Sequence, residues 1–124
     1  MEKEDYVSYE VAKLLKSKGF NKPCDSYFED TEEGYICWAC VHEPKKETTE
    51  KEYLQPTLYE AQKWMREQHQ IAICSYPYSF HWDYTIFDLS KIMDNCHKIL
   101  GSRVCWESYE EALNEGIKES LKLI

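Results

Sequence analysis

The sequence predicts an α+β fold, with three main helices packed on a small antiparallel β-sheet in a single domain spanning residues 1–124. Two observations carry that prediction. Stretches with a hydroxyl cap and apolar residues at helical spacing open at Ser8, Thr57 and Ser108, as expected of helices with one buried face. Between them lie short runs rich in aromatic and β-branched residues at 35–41, 71–76 and 80–88, the last with period-two alternation. A chain of 124 residues suffices for one core and is too short for two.

Helix one is expected over 8–18. Ser8 is its N-cap, and Val11, Ala12, Leu14 and Leu15 form its apolar stripe. Gly19 ends it, with Phe20 placed to pack back on the last turn. Tyr27-Phe28 begins a strand that the acidic run 29–34 interrupts as a hairpin loop. Residues 35–41, seven apolar positions, read as a buried strand, and 42–52 as a mobile polar loop. The central helix runs from the Thr57–Glu60 capping box to His69, with Leu58, Ala61 and Met65 on its stripe and Trp64 at the edge.

Ile71 to Tyr76 reads as a strand ended by Pro77, with Tyr78-Ser79 turning the chain. In the next strand Phe80, Trp82, Tyr84 and Ile86 face the core, and His81, Asp83 and Thr85 face solvent. For 90–100 a short helix is favoured over the hairpin that Asp94-Asn95 also suits, and 103–106 is a further strand. The last helix opens on a second capping box, Ser108 to Glu111, and buries Ala112, Leu113, Gly116, Ile117, Ser120, Leu121 and Ile124. Gly116 costs about 1 kcal/mol relative to Ala inside a helix, which points to another element approaching closely there. The three helix openings share a hydroxyl, Tyr, Glu and Ala pattern; an internal repeat and common capping rules account for it equally.

A net charge of −8 argues against direct nucleic-acid binding, which needs cations to displace counterions, and against attachment to anionic lipid. No run of about twenty apolar residues is present to span a membrane. The acidic opening Met1 to Asp5 does not read as a secretory signal, so a cytoplasmic location and reduced thiols for the six cysteines are expected, several of them in the core.

Cys37-Trp38-Ala39-Cys40 has the Cys-x-x-Cys spacing of redox and zinc sites. It sits in a strand-like run rather than at a helix N-terminus, and no second pair exists. No nucleophile with an evident base, phosphate-binding glycine loop or paired-carboxylate motif is present, so neither enzymatic activity nor a cofactor is expected. Ten Tyr, four Trp and four Phe make the chain rich in the residues that dominate interfaces. Tyr76, Tyr78, Trp82 and Trp64 are the candidate binding residues, with Tyr76 and Tyr78 flanking Pro77 as the exposed pair.

The stretches from Tyr6 to Leu15, Gly19 to Cys24, Pro56 to Arg66 and Ser108 to Leu113 resemble small uncharacterised proteins of phages, prophages and other mobile elements of gut bacteria. The resemblance spans most of the chain and implies a phage or prophage origin, a cytoplasmic setting and no known activity. The expected function is therefore a non-enzymatic interaction protein, monomeric or a small homo-oligomer, that binds a host or phage protein. The alternatives are an acidic nucleic-acid mimic that inhibits a DNA-binding protein, and a small zinc-binding module using Cys37 and Cys40.

Overall fold

The computed structural model describes residues 2–91, 97–101 and 105–124. In chain order it contains α1 (Tyr9–Ser17), β1 (Ser26–Thr31), β2 (Gly34–Ala39), β3 (Glu52–Leu54), α2 (Leu58–His69), β4 (Ile71–Tyr78), β5 (His81–Asp88), β6 (His97–Gly101) and α3 (Tyr109–Leu121). The fold is α+β with three helices. Its strands form two three-stranded antiparallel sheets, β2-β1-β3 and β4-β5-β6, where one sheet was expected. The division falls at α2, which separates β3 from β4 and ends on Gln70 in the left-handed conformation before β4 sets off.

Local chemistry fixes the helix ends. The Ser8 hydroxyl accepts the Val11 N–H at 3.3 Å. At the other end of α1, Gly19 adopts φ +91°, and the Phe20 N–H donates to the Leu15 carbonyl at 3.0 Å. At α2 both halves of the capping box form, with Thr57 and Glu60 each accepting the other's N–H at 3.1 and 2.9 Å. At α3 only half does: Ser108 accepts the Glu111 N–H, but the Glu111 carboxylate takes the Glu107 N–H instead.

One core joins the two sheets. It collects Val11 and Leu15 from α1, Phe28 and Leu54 from the first sheet, Trp64 and Met65 from α2, Ile73 and Ile86 from the second sheet, and Ile117 and Leu121 from α3. α3 lies on β4 and β5, and at Gly116 the approach is so close that a Cβ would sit 2.7 Å from Ile73 Cγ2. Ile124 is only partly buried. Ser8 binds α1 to α3: its N–H donates to Asn114 Oδ1 at 3.0 Å and its hydroxyl accepts from Asn114 Nδ2 at 3.1 Å.

Several expectations are corrected. β1 does not stop at the acidic run but continues to Thr31, so that Glu32-Glu33 alone forms the loop closed by Thr31 and Gly34. Pro77 does not end β4, because β4 is an edge strand and the N–H that proline lacks would point away from β5. The loop after β2 is anchored: Lys45 exchanges backbone hydrogen bonds with Cys24, and its ammonium reaches Glu52 at 3.1 Å and the Tyr27 ring. In the stretch expected to be a short helix, Leu89–Lys91 form a 3₁₀ turn and His97–Gly101 is a strand on β5; 92–96 lie outside the described residues. Of the expected strand over 103–106, Arg103 and Val104 also lie outside them. Trp106 forms a lone antiparallel bridge with Trp82.

Candidate functional site

β4 and β5 pair without interruption from Ile71 opposite Asp88 to Tyr78 opposite His81. That register leaves Ser79-Phe80 as a two-residue loop, with φ of +46° and +72°. Two positive φ angles in succession match the type I′ hairpin turn, for which Asn-Gly is the favoured pair. Here the second position carries a phenylalanine whose ring is fully exposed, at 105%. Phe80, expected in the core, is instead the tip of the hairpin, and burial begins two residues later, partial at Trp82 and continuous from Asp83 to Ile86.

The other candidate residues are dispersed by the same register. Tyr78 stands beside the tip, 61% exposed. Tyr76 is half-buried, its hydroxyl 3.4 Å from the carboxylate of Asp83 across the ladder. Trp82 is half-buried too, edge-on to Tyr109 at 5.6 Å and bridged through its backbone to Trp106. Tyr84 is buried, which pushes its hydroxyl pKa up to about 12. Trp64 lies in the core, its ring edge-on to Phe20 at 5.3 Å and to His69 at 4.9 Å, so it offers no surface to a partner.

The face of β5 expected to meet solvent is also different: His81 is exposed, but Asp83 and Thr85 are buried. Asp83 accepts the Tyr84 N–H at 2.7 Å and the Tyr76 hydroxyl, so these groups rather than His81 satisfy its carboxylate.

β2 is the largest departure. Read as a buried strand, it is exposed along its whole length, with Tyr35, Ile36 and Trp38 between 43% and 52% accessible and Val41 beyond it at 84%. β2 packs chiefly on β1, whereas β3, at the opposite edge of the same sheet, is covered by α1 and buried. Cys37, Cys74 and Cys105 are exposed; of the described cysteines only Cys24 is in the core, where burial raises its pKa to about 12. Cys37 donates its S–H to Gln55 Oε1 at 3.2 Å, and partial burial raises its pKa. Cys40 lies beyond the strand, its N–H on the Asp25 carbonyl. Among the described residues no three His, Cys, Asp or Glu side chains come together to hold a metal ion.

On the α1 side of β2 runs an open groove of about 670 Å³. Phe28, Cys37 and Ala39 line it from the sheet, Val7 and Tyr9 from the start of the chain, and Asn114 from α3. At its base Gln55 is buried, accepting from Ser26 Oγ and Cys37 and donating to the Val7 carbonyl at 3.0 Å. Beside it the Asp30 carboxylate accepts the hydroxyls of Tyr9 and Tyr53, and Tyr9 stacks on Tyr35 with ring centroids 4.0 Å apart. The bond from Tyr9 holds Asp30 below the usual carboxylate range and, with burial, lifts Tyr9 to about 12. The pair is thus locked as carboxylate and phenol at neutral pH. Gln55 carried no signal in the sequence beyond preceding a proline, and Ser79-Phe80 has none of the glycine or asparagine that announces a tight turn.

The chain matches no protein-family model, no curated protein and no solved structure.

Proposed function

We propose that this chain is a non-enzymatic interaction protein of phage or prophage origin, which binds a host or phage protein through the tip of the β4–β5 hairpin. The observation that supports this reading is Phe80, fully exposed at positive φ. A non-glycine residue in the left-handed region costs on the order of 1–2 kcal/mol. Leaving the ring in water forgoes a further 1.5–3 kcal/mol, roughly, that burial would supply. The β4–β5 pairing holds the turn in that geometry, and among the described residues nothing covers the ring, which a partner lying over Phe80 and Tyr78 would bury. The origin is taken from the resemblance of the helix-opening stretches to phage proteins, and the partner class follows from it.

The test places a photo-crosslinking phenylalanine analogue at position 80 of the whole chain in a bacterial host, with the same analogue at exposed Lys63 as control. A discrete adduct specific to position 80 is expected. Phe80→Gly should abolish co-purification of that partner while leaving the fold at least as stable. A partner retained in full by Phe80→Gly would overturn the reading. So would turnover of a substrate by purified protein that one point substitution abolishes.

A further inference from the structure

A second surface, on the other sheet and sharing no residue with the hairpin tip, has the parts of a peptide site. Its first part is an open strand edge. The Cys40 N–H donates to the Asp25 carbonyl, and the β1–β2 register alternates from there, so residues 34, 36, 38 and 40 spend their backbone groups on β1. The N–H and C=O groups of Tyr35, Cys37 and Ala39 therefore point outward along the edge of the sheet, where no strand among the described residues pairs with them. Natural edge strands are blunted by lysine, proline, a bulge or a covering loop. β2 reads Gly-Tyr-Ile-Cys-Trp-Ala, pairs in unbroken register and is exposed throughout.

The second part is the groove. The side chains of the same three residues, 35, 37 and 39, line it. An extended segment pairing with β2 would place alternate side chains over that cavity, which is how added strands gain specificity from pockets. The third part is charge. Around Gln55 at the base the groove offers the apolar surfaces of Val7, Phe28, Tyr35 and Ala39, and its charged lining comprises Glu4, Asp25, Glu110 and Glu111 against Lys3 alone, on a chain of net charge −8. A side chain with an apolar stem and a cationic head meets both demands.

We infer that β2 and its groove bind an extended segment of a partner protein, added as a further strand, which inserts a lysine or arginine side chain between apolar neighbours. The outward backbone groups hold the main chain, the groove takes the stem, and the acidic rim takes the charge. A second copy of this chain fits less well, because its own β2 carries no cation and the two copies repel.

The probes are labelled nine-residue peptides of alternating valine and threonine, acetylated and amidated, with lysine, norleucine or glutamate at the centre, followed by fluorescence anisotropy on the whole protein. The lysine peptide is expected to bind at least tenfold more tightly than the other two, and to weaken as salt rises. Ala39→Pro removes an outward N–H that β1 does not use; binding should be lost with the melting temperature unchanged. A lysine peptide N-methylated at alternate backbone positions should fail on the unaltered protein, which keeps the test independent of that variant's folding. Glu4→Gln with Glu110→Gln should shrink the preference for lysine over norleucine by at least fivefold. Equal binding of all three peptides, full binding of the N-methylated one, or no binding at millimolar peptide would overturn the inference. A dimer in sedimentation that Ala39→Pro dissolves would assign the edge to a second copy and overturn it as well.

Discussion

Replacing Gly116 by alanine sets two known effects against each other at one atom. In an exposed helix the change would stabilise by about 1 kcal/mol through propensity alone. Here the new methyl would stand 2.7 Å from Ile73 Cγ2 and 3.1 and 3.2 Å from Tyr84 Cγ and Cβ. None of these is the free end of a flexible chain. Ile73 is β-branched and stiff at χ1, Tyr84 Cβ is fixed to the backbone of β5, and both residues are buried. Overpacking by one methyl costs about 1–3 kcal/mol, and contacts this close to backbone belong in the upper half of that range. Subtracting the propensity gain leaves a net loss of about 1–2 kcal/mol, or about 4–8 °C in melting temperature for a chain of this size. Urea unfolding followed by tryptophan fluorescence measures it. The same substitution in an Ile73→Ala background should be much less costly, because the closest contact is gone. A Gly116→Ala protein more stable than the parent by about 1 kcal/mol would refute the close approach of α3 to β4, as would an undiminished loss beside Ala at position 73.

Three further outcomes follow from the structure. Gln55→Ala leaves the buried Val7 carbonyl without its partner, while the Ser26 hydroxyl keeps the backbone carbonyl of residue 55, and should cost about 1–3 kcal/mol, read as a shift of the urea midpoint; a loss under about 0.5 kcal/mol would show that water replaces the amide. Asp30 is held low by the Tyr9 hydroxyl, so the unfolded chain takes up its proton first as pH falls. Its contribution should be present above about pH 4 and fade below it, and Asp30→Asn should flatten that acid limb of the stability curve. Tyr9 and Tyr84 are both raised to about 12, Tyr9 chiefly by its bond to Asp30 and Tyr84 by burial. Between pH 10 and 12 the unfolded chain loses these protons while the folded one keeps them, so stability should fall across that window and fall less steeply in Tyr9→Phe.

What the sequence made legible was whatever is decided within about four residues. Ser8, Thr57 and Ser108 announced the helices because capping is local, and Gly116 announced a close approach because a helix interior otherwise disfavours it. What stayed hidden depends on register and neighbours. Period-two alternation across 80–86 places Tyr84 and Ile86 correctly in the core, but Asp83 and Thr85, in the central strand of their sheet, are buried as well, and Tyr78 opposite His81 closes the hairpin and pushes Phe80 out of the strand. Apolar composition made residues 35–41 look buried, yet composition does not say whether a strand is central or at an edge. Gln55 was invisible because its three partners come from Val7, Ser26 and Cys37, up to 48 residues away.

The two misread stretches fail in the same direction, and that bears on function. Residues 35–41 and Phe80 carry the composition of a buried surface, and in the folded chain both lie in water. A sequence matched to its own fold agrees across levels, with local preference, burial and turn chemistry pointing to one answer. Disagreement at two places on different sheets, within a core otherwise closed by Leu15, Met65, Ile86 and Ile117, does not describe a poorly specified protein. On the proposed reading it marks apolar surface that a partner covers. At Phe80 the backbone geometry adds a cost of its own. Aggregation of the free chain is the hazard such surfaces carry, and a net charge of −8 is the feature that opposes it while leaving the inferred lysine- or arginine-bearing segment free to approach.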